Sequence, residues 1–479
     1  LGGLRRHALA PHLGAAEARR LSEPPAAPPP VPPAGGAPQH EDRFPAFLLL
    51  WASQTLSLFG TMVSQFAVNV WLARDLYPHA HQKPQLAVAL TVTGVAFTAP
   101  LIFGMPLAGA YADRHDKQRV MVACDLMLAL LSGVFVVLTL GGALTLPVAA
   151  LLLVLYSLTS AFHAAAFDSS YGRFVKPADL PRASGMMMTS YGLSQLLAPA
   201  LAATLVALPT LLGGPAALPA WLGNGVPFAF AADGLSFVVA AIVAASMRFP
   251  VMPLAAATGA SLVADVRAGF RWVLTRRPFL WLLSMGALAN FTFAPLMVLL
   301  PMLARDRVVA DAAARGMPFE AVLALANTAG GLGGVLGGVL VSVFGLRGWS
   351  RTRVMLVCLI VLGVGEVVTG LSTTVWGLAI GMFVGESLVA PLNTASFTLW
   401  QDLTPPQMLA RALATRRFIA QSAFPIGTVV AGWAAAVAEP WAVVTVAGAL
   451  LVAGMLAVLA QPGFATLESR MREAAARPD

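Results

Sequence analysis

Few side chains in this sequence could do chemistry, because charged residues make up 11% of its 479 positions and hydrophobic ones 58%. Glu386, in "GMFVGESLVA", stands inside a long apolar run, as do Glu366 in "GVGEVVTG" and His163 in "TSAFHAAAF". An ionisable group in such a setting is expensive and by default marks function. The chemistry open to these three is the uptake and release of a proton. Imidazole titrates in the useful range, and a carboxyl can be tuned by burial. Glu386 is the first candidate and Glu366 a weaker one. Asp125 and Asp233 read as structural acids. The amides Gln54, Gln65, Asn69, Asn290 and Asn393 lie in other apolar runs. They would give an apolar cavity a few directional contacts, which suits a bulky amphiphile better than a sugar, or they would hydrogen-bond between helices.

Other chemistries find little support. The phosphate-binding pattern G-x-x-x-x-G-K-[ST] does not occur, nor does any Gly-Lys pair, so ATP cannot be bound that way and no cofactor is expected. The Gly-rich "AGGLGGVLGG" (Ala329 to Gly338) spaces glycines four apart within an apolar run, a pattern for close helix packing. "HAAAFD" (His163 to Asp168) matches the H-x-x-x-x-D of acyltransferases. Five residues turn a helix by about 140°, however, so the two side chains diverge, and a membrane acyltransferase is a remote alternative. No enzyme activity and no metal site are expected, since Cys124 and Cys358 are the only cysteines.

A mean hydropathy of +0.77 is too apolar for a soluble globular chain. A run of about 20 apolar residues crosses a bilayer as a helix, and twelve such runs follow Phe44. They lie near 46–73, 85–110, 118–140, 146–168, 183–208, 226–247, 279–304, 319–344, 353–372, 374–399, 412–437 and 440–461. The loops and tail on one side hold twenty Lys and Arg. The opposite side holds five, Arg74, Lys83, Arg305, Arg307 and Arg315. By the positive-inside rule both termini are expected in the cytoplasm of a cell whose inner (plasma) membrane the chain crosses. The net charge of +8 then calls for no nucleic-acid partner.

The chain also repeats itself. "RVMVAC" at Arg119 returns as "RVMLVC" at Arg353, "WLARD" at Trp71 as "MLARD" at Met302, and "SQLLAP" at Ser194 is matched by "AQSAFP" at Ala420. Three matches in the same order imply a duplicated six-helix unit, and an even helix number makes the two copies parallel. The expected organisation is a Pro-rich, extended or disordered segment (1–43), a first bundle (44–247), an inter-half linker with an amphipathic surface helix (248–277), a second bundle (278–461) and a tail (462–479).

One loop concentrates charge: "GAYADRHDKQR", with Gly109, Asp113, Arg114, Lys117 and Arg119. It resembles the loop signature G-x-x-x-D-R/K-x-G-R/K-R/K of the major facilitator superfamily, with Asp116 where Gly is usual. The resemblance implies a conformational latch: Gly109 permits close approach, and Asp113 pairs with the start of the eleventh helix near 409–412 when the cavity faces outward. In the second half Ser342 stands where the acid would be. Gly185, Ser194, Ala198, Pro199 and Ala202 are similar to the antiporter signature G-x8-G-x3-G-P-x2-G of drug exporters, with small residues replacing all but the first glycine. "FLLLWASQTLSLFG" and "FVKPADLPRASG" add a resemblance to the macrolide-efflux and enterobactin-exporter branch. What this implies is an all-α membrane protein of twelve helices that exports a small amphiphile by alternating access in exchange for protons. It would act as a monomer whose partners are the lipid bilayer, its substrate and protons. The alternative is an uptake permease.

Overall fold

The computed structural model describes residues 44–460 except 171–173, 177–178, 214–218, 220–222, 250–261, 346–349 and 406–407. The expected Pro-rich segment and tail lie outside the described residues, as does most of the linker before Leu262.

Twelve helical segments are long and apolar enough to cross a membrane. Spans 1 to 6 are Phe44–Leu76, Ala80–Arg114, Lys117–Leu140, Leu146–Asp168, Arg182–Leu211 and Val226–Ser246. Spans 7 to 12 are Phe279–Arg307, Phe319–Phe344, Arg351–Leu371, Val375–Leu403, Arg411–Val437 and Pro440–Leu459. Helices are what such sequence must form, because hydrocarbon offers the backbone no hydrogen bonds and a helix satisfies its own. Prolines interrupt several of them, and Pro199 in span 5 and Pro425 in span 11 occupy matching places in the two copies.

The helix partners repeat with the sequence. In the first half span 2 packs on span 4, span 3 on span 6, and span 1 on span 5. In the second half span 8 packs on span 10, span 9 on span 12, and span 7 on span 11. Between the halves, span 2 meets span 11 and span 5 meets span 8. Exchanging the copies maps each of these contacts onto the other, which is the relation of parallel repeats about an axis along the membrane normal.

The apolar cores are arranged asymmetrically. At the end remote from the basic loops, a single cluster joins both halves, with Val70, Leu72 and Leu86 from the first and Leu299, Leu303 and Val322 from the second. At the basic end there are two clusters. Phe47, Met121 and Phe174 belong to the first half, and Phe279, Met355 and Trp400 to the second.

A helix at Leu262–Leu274 precedes span 7. The sequence pattern assigns its apolar face to Leu262, Val266, Phe270, Val273 and Leu274. In the structure Trp272 and Val273 are buried while Leu274 is exposed, and the side chains of 262–266 are outside the described set. Its buried face rests on protein: Trp272 meets Phe279, which meets Trp400. A Cβ at Gly269 would lie 2.8 Å from the Arg411 carbonyl oxygen, so only glycine lets this helix sit on the start of span 11.

Candidate functional site

The duplicated "LARD" turns form the contact between the halves at the end remote from the basic loops. Span 1 ends in a π-helical turn at Trp71–Leu76 and span 7 in one at Leu303–Arg307. Such wide turns redirect side chains and recur at functional places. In each, the arginine is braced by the next residue: Arg74 Nε donates to Asp75 Oδ1 and Arg305 Nε to Asp306 Oδ1, both at 2.8 Å. Each then reaches into the other half. Arg74 Nη1 lies 2.9 Å from Glu320 Oε1, and Arg305 Nη1 donates to the carbonyls of Ala73 at 3.1 Å and Tyr77 at 2.7 Å. Asn224 ties Arg74 and Asp75 together, at 2.8 Å to each. The sequence offers the repeat as its signal but not the cross-half reach, because the pairings join residues 228 to 246 positions apart.

At the basic end the charged loop is disengaged. Asp113 and Arg114 are exposed, and Asp113 makes no ion pair or side-chain hydrogen bond among the described residues. The close approach expected at Gly109 is absent from this conformation, since a Cβ there would meet nothing within 4 Å. Asp116, rather than Asp113, caps a helix: it accepts from the Arg119 amide at 3.1 Å and starts span 3, the usual work of an N-cap aspartate. Gln118 fastens the loop to its own half through the carbonyls of Ala244 (2.9 Å) and Met247 (2.8 Å) at the end of span 6. Lys117 is half-buried and Arg119 exposed. Spans 2 and 11 touch at Phe103 and Phe418, whose rings are 5.7 Å apart.

Glu386 sits where span 10 is broken. One helix ends at Ser387, Leu388 leaves helical geometry (φ −106°, ψ 6°), and a second begins at Val389. Pro391 supplies the cause: it has no N–H to give the Ser387 carbonyl four residues back, and its ring crowds that carbonyl. Gly333 and Gly337 of span 8 press against the backbone of this break, and a Cβ on Gly330 would stand 3.3 Å from the Glu386 side chain. The glycines of "AGGLGGVLGG" are therefore packing residues on two fronts, since Gly331 faces the backbone of Gln195 and Leu196 of span 5 at 2.8 Å. Tyr191 of span 5 stands within electrostatic range of Glu386.

Of the other two proton candidates, Glu366 is on span 9, where Gly365 packs against Gly385 beside Glu386, and His163 is on span 4 in the first half. Glu366 is fully buried, and neither carboxylate oxygen has a hydrogen-bond partner among the described residues. It is wedged against span 12, where a Cβ on Gly448 would fall 2.7 Å from its own Cβ. His163 is directed to Asp125 of span 3, Nε2 to Oδ1 3.0 Å, with Asp125 wholly buried. The sequence names both of these residues but not their pairing.

The polar cavity set disperses. Gln65 lines a small internal cavity of the first half together with Thr61, Ser64, Ser132, Tyr156 and Asp233. Gln54 is buried with its Nε2 unpartnered among the described residues. Asn290 spends its amide on the Gly286 carbonyl at 2.8 Å, Asn69 is half-buried and Asn393 is exposed. Of the span 5 motif, Ser194 and Ala198 are buried, Ala202 is buried, and Gly185 has open space around it.

Two parallel six-helix repeats that share one apolar core at one end and keep separate cores at the other have the architecture of a membrane transporter. Residues 37–477 match the family of transmembrane secretion effectors, and the chain belongs to it, within the major facilitator superfamily. It is 24% identical to macrolide efflux protein A of Streptococcus pyogenes over 398 residues, which cover 80% of this chain and 87% of that one. In three dimensions it resembles the peptide transporter POT in complex with sulfate, with TM-score 0.66, 13% identity, and 89% and 95% of the two chains covered. It also resembles a bacterial homologue of the lysosomal transporter Spinster in an inward-facing, unoccupied conformation, with TM-score 0.60, 15% identity, and 92% and 100% covered. Both likenesses carry the fold.

Proposed function

We propose that the chain exports a bulky amphiphilic small molecule, macrolide-like or siderophore-like, in exchange for protons, from the inner membrane of a cell with both termini in the cytoplasm. The observation that carries this reading is the one-sided closure. A shared apolar core and the Arg74 and Arg305 bridges join the halves at one end, while the Asp113 loop stands apart at the other. Taken with the Lys and Arg bias, the open end faces the cytoplasm, the side from which an exporter loads. Similarity to a macrolide efflux protein supports efflux and this substrate class.

In this reading the cycle needs three parts. Substrate enters between the halves from the basic end. A proton taken by Glu386 changes the charge beside the span 10 break and the facing Tyr191, and so biases the packing of spans 5, 8 and 10. The halves then rock, the LARD bridges part, and Asp113 engages the start of span 11 to hold the second state. One chain suffices, because the helices of both repeats complete the pathway. Glu366 and the His163–Asp125 pair are the alternative sites for that proton, and the role passes to them only if Glu386→Gln keeps its pH-dependent transport.

The test is proton-coupled efflux in inverted membrane vesicles. Macrolides, dyes and catecholate siderophores are added, and loss of an imposed pH gradient is scored for the wild type and Glu386→Gln. Discharge by one class in the wild type alone supports the reading. Uptake of a nutrient by right-side-out vesicles, with no response from the panel, overturns direction and substrate together.

A further inference from the structure

Four helices of the first half bring oxygen-bearing side chains to one buried point. Asp233 of span 6 is 0% exposed. Ser64 of span 1 and Ser132 of span 3 donate to its Oδ2 at 2.9 and 2.8 Å. The Tyr156 hydroxyl of span 4 stands 3.2 Å from the same oxygen and 2.8 Å from the hydroxyl of Thr61. These groups, with Gln65, form the polar wall of a cavity of about 20 Å³ whose other walls are aromatic and aliphatic. That volume accommodates one body the size of a water molecule.

Charge balance makes the cluster more than a set of interhelical hydrogen bonds. Spans 1, 3 and 4 offer Asp233 only hydroxyls and an amide, and no Lys, Arg, His or second acid among the described residues faces it. Span 5, which also packs on span 6, carries no charged residue beyond Arg182 at the far basic end. An ionised carboxylate in an apolar interior is not offset by hydroxyl hydrogen bonds alone. It calls for one positive charge within contact, and the cavity beside it has room for a small one. Carboxylate, hydroxyl and amide oxygens are the ligand set of a hard cation. A single carboxylate balances a monovalent ion, where a divalent ion ordinarily draws several.

We propose that Asp233, Ser64, Ser132 and Tyr156 form a binding site for one monovalent cation, a proton or a sodium ion, inside the first half and separate from Glu386 in the second. Its position gives occupancy a mechanical consequence. Spans 1, 3, 4 and 6 converge on Asp233, and span 1 is seated directly on it, since a Cβ on Gly60 would lie 3.0 Å from the Asp233 Cα. Adding or removing the cation changes how these four helices attract one another. The site would contribute a second ion to the cycle, or hold the first half rigid while the halves rock.

The inference is independent of substrate and direction, so it is tested by binding, without transport. Purified full-length chain in lipid nanodiscs is titrated with radiolabelled sodium at several pH values, and its carboxyl stretching bands are followed by infrared difference spectroscopy over the same range. One sodium ion bound per chain, displaced as the pH falls and lost in Asp233→Asn, identifies sodium as the ligand. No sodium binding, but a titrating carboxyl band lost in Asp233→Asn and retained in Glu386→Gln, identifies the proton. Ser132→Ala, which removes one oxygen, is expected to weaken binding or shift the titration by roughly tenfold, as befits one hydrogen bond to a charged group. The proposal is overturned if folded Asp233→Asn matches the wild type in both measurements. If that variant does not fold, it is overturned when Ser132→Ala and Tyr156→Phe both behave as wild type.

Discussion

The Arg74 guanidinium of the first half lies 2.9 Å from the Glu320 carboxylate of the second, while Arg305, its counterpart in the repeat, returns the reach to carbonyls of the first half at 2.7 and 3.1 Å. Neither arginine is free to wander, because each is held by its own neighbouring aspartate. Each copy of the duplicated turn therefore fastens the closed end, beside a further ion pair between the halves, Lys83 Nζ to Glu439 Oε2 at 3.7 Å.

Loosening that fastening should shift the balance of the two states. The Arg74–Glu320 pair is partly exposed, so its loss is worth about 1 kcal/mol. Arg305 is better buried and serves two carbonyls, and its loss should cost about 1–3 kcal/mol. Spin labels at His81 and Ala438, on either half of the closed end, are expected to report a longer-distance population in Arg74→Ala and a larger one in Arg305→Ala. An unchanged distance distribution in both would remove the role assigned to the turns.

The latch at the basic end should show the opposite signature. Asp113 has no ion pair or side-chain hydrogen bond among the described residues, so Asp113→Asn is expected to leave thermal stability of the resting protein within about 0.5 kcal/mol of wild type. Transport turnover should nevertheless fall, because the state in which Asp113 is engaged loses its support. A large drop in melting temperature would mean that the residue already works in the resting state.

Span 8 should tolerate no side chain at Gly331. A Cβ there would sit 2.8 Å from the Leu196 Cα across the half-to-half contact, and backbone cannot step aside as a flexible side chain can. Gly331→Val is expected to cost about 1–3 kcal/mol, read as a lower melting temperature in detergent. Gly334→Ala, whose Cβ would meet nothing within 4 Å, serves as the neutral control.

Outside the membrane spans, one carboxylate should give acid sensitivity. Asp311 accepts from Arg315 Nε at 3.0 Å and from the Val375 amide at 2.8 Å, and these bonds hold its pKa below the usual carboxylate range. A lowered folded value contributes stability that is complete above the ordinary Asp pKa of about 4 and is lost as the pH falls through the lowered one. Asp311→Asn should therefore melt earlier than wild type at neutral pH and converge with it in strong acid. Parallel curves across that range would contradict the assignment.

Coupling separates the buried acids. Glu386→Gln is expected to abolish the pH dependence of transport while leaving the chain folded, since glutamine keeps the shape that Gly330 of span 8 meets. Glu366→Gln should leave coupling intact, because Glu366 lies between spans 9 and 12, away from the contact between the halves.

Much of this architecture could be read without coordinates, for physical reasons that are local. A bilayer forces every crossing segment into a helix of fixed minimum length, so the twelve apolar runs could become only what they became. Duplication preserved "WLARD" and "MLARD", "SQLLAP" and "AQSAFP", and the pairing of spans 3 with 6 and 9 with 12 followed. Glu386 stood out because an acid in an apolar run is costly. Pro391 gave notice of the break beside it, which the hydropathy pattern of span 10 passed over.

What the sequence could not decide was which distant residues would meet. Asp233 reads as one structural acid among several until Ser64, Ser132 and Tyr156 arrive from three other helices. His163 and Asp125 are separate titratable groups until spans 3 and 4 pack. The LARD turns are a repeat until each arginine crosses to the other half. Helical periodicity fixes the face on which a side chain lies, but not the neighbour that covers that face. Only the packing of the two repeats, closed at one end and parted at the other, decided which of these polar groups were buried alone, which were paired, and which were left waiting.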